Sequence, residues 1–215
     1  MKIAIIVEGK TEKAFLPHLR AFLKNCLAGE TPKLDVLPYD GRIPKEDKLR
    51  RVVENLLGGS KPADHVIALT DVYTGGTSPD FLDAQDAKKK MRQWVGAEPR
   101  FHPHEISALH RFHPHVAQYD FEAWLLPYWP TIQKLARHNK GAPGGNPETV
   151  NHHNPPAYRI KEIFEIGKCR ESYVKPRDAA RILRENDLSV AVAQCSELKA
   201  MINTILSLCG GPVIP

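Results

Sequence analysis

The sequence predicts an α/β fold: an open, mainly parallel β-sheet flanked by helices, with a helical C-terminal part. Short runs of branched apolar residues, typical of strands buried on both faces, alternate with longer segments whose apolar residues recur at helical spacing. Acidic residues directly follow three of the predicted strands. Open α/β sheets carry their functional groups at this carboxyl edge, so the third observation also indicates where a site would lie.

The first strand and helix are the clearest elements. Residues 3–7 (Ile-Ala-Ile-Ile-Val) form an apolar strand, and Glu8 stands at its carboxyl end. From Phe15 onward apolar residues recur at helical spacing, with Thr11 as a plausible N-cap and Glu12 in or near the first turn. This part of the chain therefore reads as a strand, an acidic corner and a helix.

The middle of the chain repeats the alternation. We predict further strands at residues 34–38 and 65–70, and helices at residues 45–57 and 79–95. Asp71 follows the third strand at once, so two strands deliver carboxylates to the same edge of the sheet. The region around residues 74–110 is predicted to be an insertion over this edge.

A fourth strand is predicted at residues 111–119. It lies near an edge of the sheet, because Pro114 has no N–H for the strand ladder. Asp120 and Glu122 follow, as the N-cap region and first turn of a helix. Carboxylates thus follow a strand for the third time.

The remainder of the chain is predicted to be a loop and then helices. Gly, Pro, Asn and His dominate residues 139–156, and apolar residues form one stripe over residues 196–208. We therefore divide the chain into an α/β core (1–138), a loop (139–156) and a helical C-terminal part packed on the core (157–215).

Composition sets broad limits. The 215 residues are most simply one α/β domain, and 30 Lys plus Arg against 25 Asp plus Glu leave a net charge of +5, which permits nucleic-acid binding without requiring it. The apolar runs are too short for a membrane helix or a secretory signal, so we expect a cytoplasmic location and no membrane partner. The four cysteines form no CxxC pair, which argues against a zinc knuckle or a disulfide framework.

The first acidic corner has three interpretations. Gly9-Lys10-Thr11 resembles the end of a phosphate-binding P-loop, but that loop needs a glycine where this chain has Ala4. Glu12 could simply compensate the helix dipole, with Glu8 solvated. Alternatively, both glutamates are metal ligands, because two close carboxylates resist joint ionisation unless a cation neutralises them.

The three strand ends together favour a metal site. Neighbouring parallel strands would bring their acids close to one another: Glu8, Glu12, Asp71, Asp120 and Glu122. Carboxylate oxygens without thiolates suit Mg²⁺ or Mn²⁺, which leave positions for water and phosphate. Such an ion in a mildly basic protein indicates phosphoryl or phosphodiester chemistry, of which hydrolysis is the simplest reaction.

These motifs carry a family resemblance over nearly the whole chain. Glu8-Gly9-Lys10-Thr11-Glu12 after a buried strand resembles the first motif of the Toprim domain, in particular its nuclease branch in the OLD (overcoming lysogenisation defect) family. The ordered set also includes Leu69-x-Asp71, residues 118–126 (Gln-x-x-Phe-Glu-Ala-Trp-Leu-Leu) and Tyr173-x-Lys175. The chain looks like a Toprim-like bacterial family of unknown function, which implies a Toprim-like, Rossmann-like fold.

The resemblance implies roles for individual residues. Glu8 would be the acid-base or metal glutamate, Glu12 and Asp71 metal ligands, and Glu122, with Asp120, the late acidic ligand. Lys175 would stabilise the transition state, or else is simply exposed. Toprim domains usually carry Asp-x-Asp, whereas Asp71-Val72 is followed here by a tyrosine, which puts the second metal and catalysis in doubt.

The resemblance also implies a Mg²⁺- or Mn²⁺-dependent nuclease in bacterial phage defence, with a partner ATPase. DNA or RNA would be the substrate, and the sequence does not decide between a monomer and a homo-oligomer. The basic residues that we select as candidate nucleic-acid contacts, each equally explained as a solvated helix face, are Lys10, Lys88, Lys89, Lys90, Arg177 and Arg181.

Two other hypotheses stay open. The chain could be a non-catalytic binding or regulatory protein whose metal site has degenerated, for which the tyrosine at position 73 is the support. Histidine pairs could instead bind zinc for a hydrolase, although solvated histidines near prolines explain them more simply: His102 and His104, His113 and His115, His152 and His153.

Overall fold

The computed structural model describes residues 1–39, 41–72, 81–96, 109–149, 154–167 and 172–215. Its centre is a four-stranded sheet in the order β2-β1-β3-β4, and every neighbouring pair of strands is parallel. The strands are β1 (Lys2–Val7), β2 (Lys33–Pro38), β3 (His65–Asp71) and β4 (Phe112–Ala117). The predicted α/β class with an open parallel sheet is confirmed.

Eight α-helices and two 3-10 helices surround the sheet in the described part of the chain. The α-helices are α1 (Lys10–Cys26), α2 (Glu46–Gly58), α3 (Ala84–Gly96), α4 (Trp129–Ala136), α5 (Pro156–Ile166), α6 (Lys175–Arg184), α7 (Leu188–Gln194) and α8 (Ser196–Leu208). The 3-10 helices are Phe121–Tyr128 and Pro147–Thr149. None of the described helices has both the length and the apolar character needed to cross a membrane.

The sheet has an apolar layer on each face. Ile3 and Ile5 of β1 pack with α1 and the C-terminal helices, whereas Ala4 and Ile6 pack with α2 and α3. Residues that alternate along a strand point to opposite faces, so burial on both faces explains the continuous apolar run of β1. Because α1 covers one face and α2 the other, the winding of the chain reverses between β1 and β3. Ligands bind at such switch points in open α/β sheets.

Several element boundaries differ from those predicted. Helix α1 begins at Lys10, so its N-cap is Gly9, which has extended backbone, and not Thr11. The helix after Asp120 is a 3-10 helix. Strand β4 is an edge strand, as Pro114 indicated. Of the predicted insertion at 74–110, residues 81–96 and 109–110 are described and include α3. The insertion and the division at 138 and 156 stay predictions.

Candidate functional site

Two carboxylates stand at the switch point of the sheet, at the ends of the central strands β1 and β3. Glu8 Oε1 accepts a hydrogen bond from the Thr70 hydroxyl and one of 3.1 Å from the Asp71 N–H. The two hydrogen bonds connect the ends of β1 and β3, although the bonded residues lie 62 and 63 positions apart in the sequence. Glu8 and Asp71, both partly exposed, are therefore held at one edge, as the sequence predicted for parallel neighbours.

A third carboxylate has two donors from the region of α6. Glu122 is fully buried, and its oxygens accept from the Tyr173 hydroxyl at 3.1 Å and from Lys175 Nζ at 3.0 Å. The Lys175 side chain keeps 51% of its surface exposed. The lysine and the late acidic residue that the sequence selected thus meet directly, with the lysine still open to solvent.

Asp120 lies beside Glu122 at the start of the 3-10 helix. Its Oδ2 accepts from the Ala157 N–H at 3.1 Å, at the N-terminus of α5, and does not cap its own helix. Its buried Oδ1 has no hydrogen-bond partner among the described residues. Tyr119, which connects β4 to this corner, adopts the left-handed region with φ 69°, a strained conformation for a bulky side chain. Strain of this kind is frequent at functional sites.

Burial and mutual repulsion raise the pKa of four carboxyl groups in this cluster. Burial is the main cause for each. It raises the pKa of Glu8 to about 7, with Glu12 adding repulsion, and that of Asp120 to about 8, with Glu122 adding repulsion. The pKa of Glu12 is also raised, with Glu122 adding repulsion. Burial and then Glu8, Asp120, Glu12 and Glu122 raise the pKa of Asp71 well above its ordinary value. The five predicted acids therefore interact as one acidic cluster.

Positive charge partly offsets this cluster. Burial lowers the pKa of Lys175, but Glu122, Asp120 and Asp71 outweigh burial and raise it, so the ammonium stays charged. Helix α1 begins two residues after Glu8, α6 begins at Lys175, which contacts Glu122, and α5 donates a first-turn N–H to Asp120. Helix N-termini carry partial positive charge, which stabilises nearby carboxylates.

The donor set fits a hard divalent cation. The acidic cluster (Glu8, Glu12, Asp71, Asp120 and Glu122) offers oxygens alone, and Asp120 Oδ1 is a buried oxygen that still lacks a donor among the described residues. Within the described part of the chain, however, no three acidic, histidine or cysteine side chains lie close enough together to enclose an ion. Tyr73 lies outside the described residues.

The basic residues selected from the sequence fall in different places. Lys10 is exposed at the first position of α1. The α3 lysines lie on the other helical layer: Lys88 pairs with Glu197, Lys90 pairs with Asp86 at 2.8 Å, and Lys89 is exposed. Arg177 and Arg181 both contact Asp178 on α6.

His113 and His115, which the zinc hypothesis uses, lie on strand β4. His113 Nε2 is 3.2 Å from His65 Nδ1. Burial lowers the pKa of His113 to about 4 and that of His115 to about 3, so both rings are neutral at physiological pH. His102, His104, His152 and His153, which the zinc hypothesis also uses, lie outside the described residues.

Two contributors were absent from the predicted site. Thr70 donates to Glu8, and Tyr173 donates to Glu122. A signal existed for both: Thr70 directly precedes the strand-end acid Asp71, and Tyr173 belongs to the same short motif as Lys175. The carboxylate that each residue contacts could not be predicted from the local sequence, because both carboxylates lie more than 50 positions away.

The fold and the site define an α/β protein with an acidic cluster at the switch point of a parallel sheet. A family model described as "Domain of unknown function (DUF4276)" matches residues 7–206, and the chain therefore belongs to this family. The predicted relation to a family of unknown function is confirmed. No curated protein matches the chain significantly.

The solved structures that this chain resembles include C-terminal regions of OLD proteins. The region from Burkholderia pseudomallei has a TM-score of 0.51 at 14% identity, covering 96% of this chain and 98% of that one. The region from Xanthomonas campestris pv. campestris has a TM-score of 0.45 at 14% identity, covering 97% of both chains. At this identity the first likeness shows the fold alone, and it agrees with the predicted relation to OLD proteins.

Proposed function

We propose that the protein is a Mg²⁺- or Mn²⁺-dependent nuclease. One observation carries the proposal: carboxylates from three strand ends interact as one cluster at the switch point, and a charged, half-exposed lysine contacts its buried member. A phosphodiester is a substrate that would benefit from both a cation bound by acids and a lysine beside it.

The residues would divide the chemistry between them. The acidic cluster would hold the ion, which when bound would neutralise phosphate charge and lower the pKa of a nearby water. Glu8, with a pKa of about 7, can accept and release a proton near neutral pH. Lys175 would place positive charge beside the phosphate in the transition state.

Cleavage assays on labelled single-stranded DNA, duplex DNA and RNA test this proposal. We expect cleavage in Mg²⁺ or Mn²⁺ and none in chelator. Glu8→Gln should slow cleavage by about 100-fold or more if Glu8 transfers a proton. Glu30→Gln, an exposed acid outside the site, is the matched control and should cleave normally. If the wild type cleaves none of these substrates with either ion, the nuclease proposal is wrong.

A non-catalytic binding protein is the second candidate, favoured by the Asp71-Val72-Tyr73 sequence, which lacks the second acid of the Toprim motif. Its expected result differs: nucleic acid would be bound in both chelator and Mn²⁺, without product. The variant Tyr73→Asp, which introduces the second acid, distinguishes the two candidates. A degenerate site should gain cleavage from this change, whereas an active site should cleave without it.

The cellular role is also a proposal. The resemblance to OLD proteins supports a cytoplasmic function in bacterial phage defence with a partner ATPase. Phage plating on cells with the wild-type protein or Glu8→Gln, each with and without a neighbouring ATPase gene, is the measurement. We expect protection only with the wild-type protein and the ATPase.

Metal binding should depend on pH. Glu8 and Asp120 bind protons up to about pH 7 and 8 in the metal-free protein, so protons compete with the cation below these values. Stabilisation by Mg²⁺ should be largest above pH 8 and weak near about pH 6, with a loss of affinity of about 10-fold per competing proton and pH unit. Thermal unfolding with and without Mg²⁺ measures this. An equal shift of the melting temperature at both pH values would contradict a site made of these acids.

A further inference from the structure

Helix α6 carries three arginines on one side. Arg177, Arg181 and Arg184 follow one another at spacings of four and three residues, so they share one face of the helix, which we call the arginine stripe. Arg177 and Arg184 are exposed, and 42% of the Arg181 side chain is exposed. Asp178, the single acid of α6, is buried beneath the stripe. The outward surface of the helix is therefore cationic.

Asp178 orients two of these guanidinium groups. It accepts from Arg177 Nε and Nη2 at 3.0 Å each and from Arg181 Nη1 at 3.2 Å. It also accepts from the Val174 N–H at 2.8 Å, which fixes the carboxylate to the start of the helix. One negative charge is shared by two arginines, so the surface keeps a net positive charge. Groups oriented before binding lose less conformational entropy when a ligand arrives.

The stripe leads away from the acidic cluster. Helix α6 begins at Lys175, which contacts Glu122, and packs alongside α1. Lys175 interacts electrostatically with Glu12 near the start of α1, and Arg184 does so with His18 further along it. The two helices thus run in the same direction from the site. The seven residue-to-residue steps from Arg177 to Arg184 span about 10 Å, close to three nucleotides of one strand at about 3.4 Å per phosphate.

The other basic clusters of the described chain differ in their surroundings. On α2, Arg50 pairs with Asp47 and Glu54, and on α3 both Lys88 and Lys90 pair with acids. Both helices cover the sheet face opposite α1. Glu185, an exposed acid directly after α6, pairs with Lys134 at 2.7 Å and also interacts electrostatically with Arg181 and Arg184. With three arginines against Asp178 and a Glu185 that is shared with Lys134, the stripe keeps net positive charge that extends from Lys175 along α6.

We propose that the arginine stripe binds the phosphate backbone of a nucleic-acid strand and guides that strand to the acidic cluster. The inference rests on the proposed function, because it assigns a path to the substrate of the same site. Guanidinium groups bind phosphate with paired hydrogen bonds. Contacts to phosphate carry no sequence information, so this binding is independent of base sequence.

Fluorescence anisotropy with labelled oligonucleotides in chelator tests the stripe without cleavage. We expect Arg181→Gln/Arg184→Gln to weaken binding by about 10-fold at low salt, and to reduce the slope of log affinity against log salt by about 1.4 for single strands, since two phosphate contacts are lost. The control Lys48→Gln/Arg51→Gln removes the same charge from two exposed positions on α2, and should change affinity less than about twofold.

Two further measurements separate the outcomes. Arg181→Lys/Arg184→Lys keeps the charges and should keep the salt slope, while thermal unfolding shows whether each variant folds. If the wild type and the folded glutamine variant have equal affinity and equal salt slope, the stripe does not bind the nucleic acid and the inference is wrong. Binding that depends on the stripe, without cleavage in Mn²⁺, would overturn the nuclease proposal alone. If the wild type cleaves nucleic acid but its binding is unchanged by the stripe variants, this inference alone is wrong.

Discussion

Asp71→Asn is expected to abolish cleavage and at the same time to stabilise the metal-free protein. Burial, together with repulsion from four acidic neighbours, disfavours the charged form of Asp71 and raises its pKa well above the ordinary value. An amide of the same shape removes that repulsion but is a poor ligand for a cation. We expect cleavage to fall by about 100-fold or more. The free energy of unfolding near pH 8 should rise, because the variant has no buried charge that its acidic neighbours repel.

The gain in stability should depend on pH with a definite sign. The pKa of Asp71 is higher in the folded state than in the unfolded state, so the folded protein binds the proton more tightly. The cost of the charge is absent below the unfolded value of about 4 and grows as pH rises through the folded value. The advantage of Asp71→Asn should therefore be small in acid and largest in alkali.

Urea denaturation in chelator across this pH range measures the effect on stability. Glu30→Gln, an exposed acid, serves as the control and should follow the wild type. A variant that is less stable than the wild type in alkali, or that cleaves normally, would show that Asp71 is not part of a repulsive ligand set.

Glu148→Ala is expected to cost the protein about 3 kcal/mol of stability, because it leaves the buried Trp124 N–H and the donors at the N-terminus of α8 without their acceptor. Glu148 is 5% exposed and accepts from Trp124 Nε1 at 3.2 Å, from the Ser196 hydroxyl at 2.8 Å and from the Glu197 N–H at 3.0 Å. These contacts place the Glu148 carboxylate at the N-terminus of α8, where its negative charge also interacts favourably with the helix dipole.

Chemical denaturation of three variants distinguishes this role from a general effect of mutation. Glu148→Gln keeps an acceptor and should lose less than Glu148→Ala. Glu165→Ala removes an exposed acid of α5 and should change stability by less than about 0.5 kcal/mol. If Glu148→Ala is as stable as Glu165→Ala, Glu148 does not hold α8 in place.

Much of the fold could be predicted because local patterns specify it. The apolar run of β1 and the helical spacing of apolar residues in α1 and α8 indicate directly which faces of these elements are buried. Boundaries were less certain. The Thr11 prediction failed because several residues near Gly9 could begin the helix, and the 3-10 form of Phe121–Tyr128 has no local pattern distinct from that of an α-helix.

The element order and the acids at three strand ends could be predicted from the sequence, because each depends on neighbouring residues and on the shared edge of parallel strands. Which side chains contact one another depends on the tertiary structure. Glu8 contacts the Asp71 N–H across 63 positions, and Glu122 contacts Lys175 across 53. Such contacts follow from the packing of the C-terminal helices on one face of the sheet, and packing between distant segments leaves no periodic pattern in the chain.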